Sequence, residues 1–247
     1  MVMQTPPPGP GEVFFRIGPF PVRVTPVFWI SMAFLGMFIA DNLIAFIAWM
    51  AAGLVGVLVH ELGHATAMRY FGDHPLILLH AFGGLTYADD YPRWNTTWKR
   101  TVVTCFAGPL AGFLLVATLC GISLLIGESV LIENYVIPIP FPFASAFSAA
   151  PVIFFLFVAY LQVVCVVWGI MNLMPILPLD GGLISRAIFE HFAPRTGTMR
   201  SLQVSLIFAI FLMIWFGQQR SIYCAVLFGM LAFRNFQTIM FLNRRPF

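Results

Sequence analysis

Residues Leu43 to Tyr70 read LIAFIAWMAAGLVGVLVHELGHATAMRY, a long apolar run with two histidines and a glutamate inside it. About 20 apolar residues cross the hydrocarbon of a bilayer as a helix, so this stretch is expected to span. Within it, Val59-His60-Glu61-Leu62-Gly63-His64-Ala65 sets His60 and His64 four residues apart, on one helix face. Two imidazoles so placed can hold one zinc ion, with Glu61 beside the metal to take a proton from water. Ionisable groups inside a span are costly and mark function, and here three fall within five residues. A helix-to-helix hydrogen bond would account for a lone membrane histidine. A structural metal site or an inactive enzyme stays open as an alternative, opposed only by Glu61, which a structural zinc does not need.

The rest of the chain agrees with a bilayer setting. Of its 247 residues, 60% are hydrophobic and only 9% charged, with a mean hydropathy of +0.90. A soluble domain carries about 25% charged residues, so a sizeable soluble domain is not expected. Apolar stretches run from Pro26 to Ala40, Leu43 to Tyr70, Thr101 to Ile126, Pro151 to Met174, Ser201 to Gly217, and from Ser221 onward. They predict an all-α polytopic membrane protein of about six transmembrane helices, the first of them short. With both termini cytoplasmic, the inside segments hold Arg16, Arg23, Arg69, Arg93, Lys99, Arg100, Arg186, Arg195, Arg200, Arg234, Arg244 and Arg245. Arg220 alone falls outside, as the positive-inside rule favours. A five-span count would break that alternation.

Two connections stand out. Leu76 to Tyr87 is apolar but too short to span, and Gly83-Gly84 interrupts it. It predicts a re-entrant β-hairpin between spans 2 and 3, which a membrane tolerates only where protein or a cavity satisfies the backbone; a loop lying on the headgroups is the alternative. The connection from Gly127 to Ala150 carries Pro138, Pro140 and Pro142, which oppose regular structure. The proline run from Pro6 to Pro10 lacks the basic start and apolar core of a signal peptide. Residues 1–25 are therefore expected to form a tail and a juxtamembrane strand, and residues 26–247 a single transmembrane domain. The cysteines Cys105, Cys120, Cys165 and Cys224 sit in apolar stretches without a C-x-x-C pair and read as buried hydrophobes.

Catalytic zinc takes three protein ligands and keeps one open position. His74, His80 and His191 lie in connections, and of these only His80 has a loop able to fold back into the bundle. Asp180 is the stronger candidate, in Asn172-Leu173-Met174-Pro175-Ile176-Leu177-Pro178-Leu179-Asp180-Gly181-Gly182. Two prolines end or kink the helix there, and the glycines allow a tight backbone that aims a carboxylate inward. A plain N-cap for the residues from Gly181 onward is the competing role for Asp180.

With His60-Glu61-x-x-His64 in one span and Asn172-x-x-Pro175-x-x-x-x-Asp180-Gly181 in a later one, the sequence resembles the site-2 protease family of intramembrane zinc metalloproteases. Ala107-Gly108-Pro109-Leu110-Ala111, the Gly83-Gly84 loop and Gly18-Pro19-Phe20-Pro21-Val22-Arg23-Val24 support the resemblance, which covers about Ile17 to Arg186. It implies one zinc ion per chain held by His60, His64 and Asp180, Glu61 as general base, and Asn172 as a polar contact to substrate or the developing oxyanion. Gly112 stands where the family often has an asparagine, and no PDZ or CBS module is expected. The last two spans carry no motif of the family.

The expected activity is regulated intramembrane proteolysis of membrane-anchored proteins in a bacterial or archaeal cell membrane. The partners are then transmembrane substrates and the lipid bilayer, with no nucleic acid. Gly83 and Gly84 would offer an exposed edge to a locally unwound substrate. At 1.5 Å per residue, His64 lies about 9 Å and His60 about 15 Å from the cytoplasmic end at Tyr70. The rivals are an ion or metal transporter lining its path with the same cluster, and a catalytically silent protein that binds membrane helices.

Overall fold

The computed structural model describes residues 9–81, 83–88, 97–125, 130–131, 140–141 and 152–244. Pro6 to Pro8, Arg93, Glu128, Glu133, Pro138, Pro142 and Arg245 lie outside them. The chain divides into two compact units, Met1–Arg93 with Ala107–Gly169, and Trp94–Phe106 with Ile170–Phe247.

The first unit opens with strands β1 (Val13–Ile17) and β2 (Phe20–Val24), followed by helices α1 (Pro26–Ile39) and α2 (Leu43–Tyr70). Pro26 takes the first turn of α1, where its missing N–H costs nothing, and the Thr25 hydroxyl accepts from Phe28 N–H. Asn42 caps α2 in the same way, accepting from Ala45 N–H at 2.9 Å. Gly72, with φ +85°, turns the chain out of α2. The Gly72 and Asp73 amides donate to the carbonyls of Arg69 and Met68, as in a helix C-cap.

Strands β3 (Pro75–His80) and β4 (Gly83–Ala88) follow as an antiparallel hairpin. They join β1 and β2 in a four-stranded sheet of order β1-β2-β3-β4, with β2 and β3 parallel. Leu79 pairs with Gly84 and His80 with Gly83. The expectation was an all-α membrane chain with one β-hairpin and a juxtamembrane strand; the described residues are mostly helical and carry this small sheet. β3 is buried over most of its length, as suits an apolar strand paired on both sides, and the glycine-rich β4 is the more exposed edge. A two-residue pairing of β5 (Val130–Leu131) with β6 (Pro140–Phe141) also forms, so Pro140 does not exclude a strand there.

Helix α3 (Trp98–Leu125) runs through both units, and α4 (Val152–Val163) continues into a π-helical turn, Val164–Trp168, and α5 (Gly169–Asn172). In the first unit α2 packs closely on neighbouring helices through small residues. A Cβ at Gly63 would strike the Ala107 carbonyl, and one at Gly56 would stand 2.6 Å from a Val164 methyl. Trp49 fixes α2 against α1 by donating its indole N–H to the Met32 carbonyl at 2.9 Å, and meets Tyr160 edge-on.

The second unit holds α6 (Asp180–Phe192), α7 (Gly197–Gln218) and α8 (Ile222–Asn243). Its core is Ile176, Ala209, Phe228 and Ala232, with Phe216 stacked on Phe228 at 5.6 Å. Among the described residues, four helices are long and apolar enough to cross a membrane: Leu43–Tyr70, Trp98–Ile122, Gly197–Gln218 and Ile222–Asn243. Pro26–Ile39 and Leu156–Asn172 are apolar and shorter. The wide apolar faces of α7 and α8 are exposed, including Ile207, Phe211, Ile222 and Phe233, as lipid-facing helices require.

Candidate metal centre

Helix periodicity stacks His60 over His64 on one face of α2. Both are buried, and their Nε2 atoms approach to 3.1 Å with ring centroids 4.7 Å apart. The two Nε2 atoms are thus placed to share one partner. Gly108 of α3 leaves room for it: a Cβ there would overlap His64 Nε2 and stand 2.9 Å from His60 Nε2. The Gly-Pro stretch of α3 thus matters through the side chain it lacks. Close approach of α3 is possible because Gly63, between the two histidines, lets the Ala107 carbonyl touch α2.

Glu61 is buried on the same helix turn. Thr86 of β4 donates its hydroxyl to Glu61 Oε2 at 2.7 Å, and that hydroxyl also lies 3.2 Å from the Glu61 carbonyl oxygen. Two residues earlier on the same strand, Gly84 brings bare backbone against the carboxylate, where a Cβ would collide with Glu61 Cγ and Cδ. Gly83 is in a looser place, its direction open but for Trp168 at 3.6 Å. Thr86 escaped the sequence reading, because one threonine in a strand carries no motif; the only available signal was its i, i+2 spacing from Gly84.

In the second unit Asp180 is the first residue of α6, with Leu179 at the capping position, so the N-cap role does not fall to Asp180. Pro175 and Pro178 lie in the turn between α5 and α6, where they stop the helix at Asn172. Gly181 and Gly182 let α6 start hard against this turn, since a Cβ at either would strike the backbone of Leu173 or Ile176. Asn172 closes α5 and is half-buried.

His60, His64 and Asp180 each offer one ligand atom, and these atoms all lie within 4.8 Å of one another. His80 is exposed and is not part of this group. Two nitrogens about 2.0–2.1 Å from one tetrahedral zinc stand about 3.3 Å apart, close to the 3.1 Å found here. Two imidazoles, one carboxylate and a cradle that a Cβ would fill suit zinc with an open fourth position.

The chain is 26% identical over 193 residues to a zinc metalloprotease of Methanocaldococcus jannaschii. That match covers 77% of this chain but 48% of the relative, so the chain spans about half the relative's length. The fold is similar to the solved structure of a site-2 protease from Methanocaldococcus jannaschii, with a TM-score of 0.58 and 22% identity. The likeness covers 92% of this chain and 95% of that one. The model of peptidase family M50 matches residues 45–216, which include His60, Glu61, His64 and Asp180; the chain belongs to peptidase family M50.

Proposed function

We propose that the chain is an intramembrane zinc endopeptidase that hydrolyses peptide bonds in or near the transmembrane segments of membrane-anchored proteins. The observation that carries the reading is the ligand group of buried His60 and His64 with half-buried Asp180, and Glu61 buried one residue from His60. Bound zinc would polarise the scissile carbonyl and lower the pKa of water toward about 7. Glu61 takes the proton from the attacking water and later passes it to the leaving amine. Until then Thr86 holds one carboxylate oxygen and fixes the direction of the other. Asn172 supplies a polar contact to the substrate or the oxyanion.

A transmembrane substrate is helical, and its amides are shielded by their own hydrogen bonds, so it must unwind locally. Strand β4 lies at the edge of the sheet, and its Gly83 and Gly84 would admit an extended segment beside Glu61. The hairpin then re-enters the bilayer, with β3 paired on both sides and β4 on one, which leaves the open edge of β4 for the substrate strand. In this reading α1 and the α4–α5 helix complete six spans, and both termini are cytoplasmic, as the arginines and lysines favour. Water reaches the site from the cytoplasmic side.

Zinc content and cleavage of a model transmembrane substrate, wild type against Glu61→Gln, test the reading. The variant is expected to keep its metal and lose cleavage. A Glu61→Gln variant that still cleaves would refute the mechanism, and transport without proteolysis would favour a transporter.

A further inference from the structure

We propose that Ser205 of α7 and Asn235 of α8 are positioning residues of the metal centre, clamping the turn that presents Asp180. The proposal rests on the zinc-peptidase reading. Leu177 sits in the turn between α5 and α6, three residues before Asp180. Its N–H donates to Ser205 Oγ at 3.1 Å, and its carbonyl accepts from Asn235 Nδ2 at 2.8 Å. Among the described residues, no backbone group pairs with either atom. The flanking Pro178 has no N–H to offer, and Pro175 has none either.

The setting makes these two bonds consequential. Ser205 is fully buried and Asn235 is 2% exposed, on helices that otherwise read as apolar spans. Around them lie Ile176, Ala209, Phe228 and Ala232, with no water-like partner among them. Leu177 is half-buried and both bonds lie in part-buried surroundings. A backbone group left unpaired away from water is costly, so the two side chains satisfy the Leu177 N–H and carbonyl where the turn packs on α7 and α8. The turn in turn seats α6. The Leu179 amide donates to the Ile176 carbonyl at 2.8 Å, and Gly182 rests on the Ile176–Leu177 backbone. Holding Leu177 at both of its polar atoms therefore fixes the first turn of α6, and with it the Asp180 carboxylate.

The two helices that carry no motif of the family thus acquire a role. Polar partners that orient a metal ligand typically change metal affinity by about 10–100-fold when removed. The test is the zinc dissociation constant of the purified full chain in nanodiscs, measured by competition with a chromogenic chelator. Ser205→Ala and Asn235→Leu are each expected to weaken zinc at least tenfold, at unchanged helical content. Ser201→Ala is the control for losing a buried hydroxyl on the same helix, because Ser201 bonds only to the Thr198 carbonyl at 2.8 Å. It should bind zinc as wild type does, and Ser205→Thr, which keeps the hydroxyl, should restore the affinity lost in Ser205→Ala. Wild-type affinity in both Ser205→Ala and Asn235→Leu overturns the clamp, and so does an equal loss in Ser201→Ala. Unchanged affinity in His64→Ala in the same titration would instead overturn the metal-centre reading itself.

Discussion

Replacing Gly108 by alanine adds a single methyl group and sets two effects against each other. In a helix interior the exchange normally stabilises by about 0.5–1 kcal/mol, because glycine loses more backbone freedom on folding. At this position the new Cβ would overlap His64 Nε2 and lie 2.9 Å from His60 Nε2. Ordinary van der Waals contact needs about 3.5–4.0 Å, so the imidazoles or the helix must give by about an ångström. Helix α3 cannot back away cheaply, because the Ala107 carbonyl already rests on Gly63. Zinc sites tolerate ligand displacements of only about 0.2 Å, so the imidazoles cannot give and still bind. Gly108→Ala is therefore expected to lose at least tenfold in zinc affinity, about 1.4 kcal/mol, while its helix content and unfolding temperature stay level or rise. Gly112, one turn further along α3, provides the comparison. A Cβ there meets Cys165 at 3.4 to 3.6 Å, so Gly112→Ala should bind zinc as wild type does. Chelator competition and circular dichroism on the two variants decide it. Undiminished zinc binding in Gly108→Ala would mean that the histidine face is not the metal site.

The strand beside Glu61 gives two further expectations. Gly84→Ala pushes a Cβ into the Glu61 carboxylate and should abolish cleavage of a model substrate with zinc retained; loss of zinc alongside would point to collapse of the site instead. Thr86→Val keeps the shape but removes the hydroxyl donated to Glu61 Oε2. The cleavage rate should fall roughly tenfold to a hundredfold, the range typical of a lost orienting partner, without a change in zinc affinity. At the N-terminal sheet, Glu12 is bonded to Arg23 at 2.8 Å with both side chains nearly buried. Burial pushes the Glu12 carboxyl up, but the Arg23 hydrogen bond, the Gly9 amide and the charges of Arg23 and His80 together hold it below its usual value of 4.5. A lowered carboxylate contributes stability that is present above the unfolded value and lost as pH falls through the folded one. Protection of the β1 amides in hydrogen exchange should therefore persist at neutral pH and drop only below about pH 4.5, and Glu12→Gln should remove that pH dependence.

Much of the fold is written in hydropathy, and the exceptions are informative. The bounds of α2 coincide with the apolar run from Leu43 to Tyr70, because a cap at Asn42 and a glycine at Gly72 mark its ends in the sequence. The β3–β4 hairpin is equally legible, since an apolar run too short to span and broken by two glycines has few other outcomes. Its union with β1 and β2 is not. The parallel pairing of Val22 with Ile77 joins strands separated by two helices, and no local pattern encodes a partner so distant. The separate helix α6 was legible only as an alternative, a helix from Gly181 onward capped by Asp180; it begins at Asp180 itself.

The metal centre divides along the same physical line. Its candidate residues stand out because histidine and glutamate are costly in an apolar span, and Asp180 because prolines and glycines surround it. The groups that hold those ligands are harder to read, since serine, threonine, asparagine and glycine occur in membrane helices for many reasons. Gly108 stood in a recognisable stretch, yet only the position of its absent Cβ beside two imidazoles gives it a function. Ser205 and Asn235 were visible as polar residues within long apolar runs, the signal that exposed the histidines, but weaker because neither carries a charge. What converts them from incidental to specific is their common target: both reach the one residue, Leu177, whose backbone the prolines leave without neighbours to bond. A polar side chain buried in a membrane helix is thus best interpreted by the backbone atom it satisfies, and here those atoms stand three residues from Asp180.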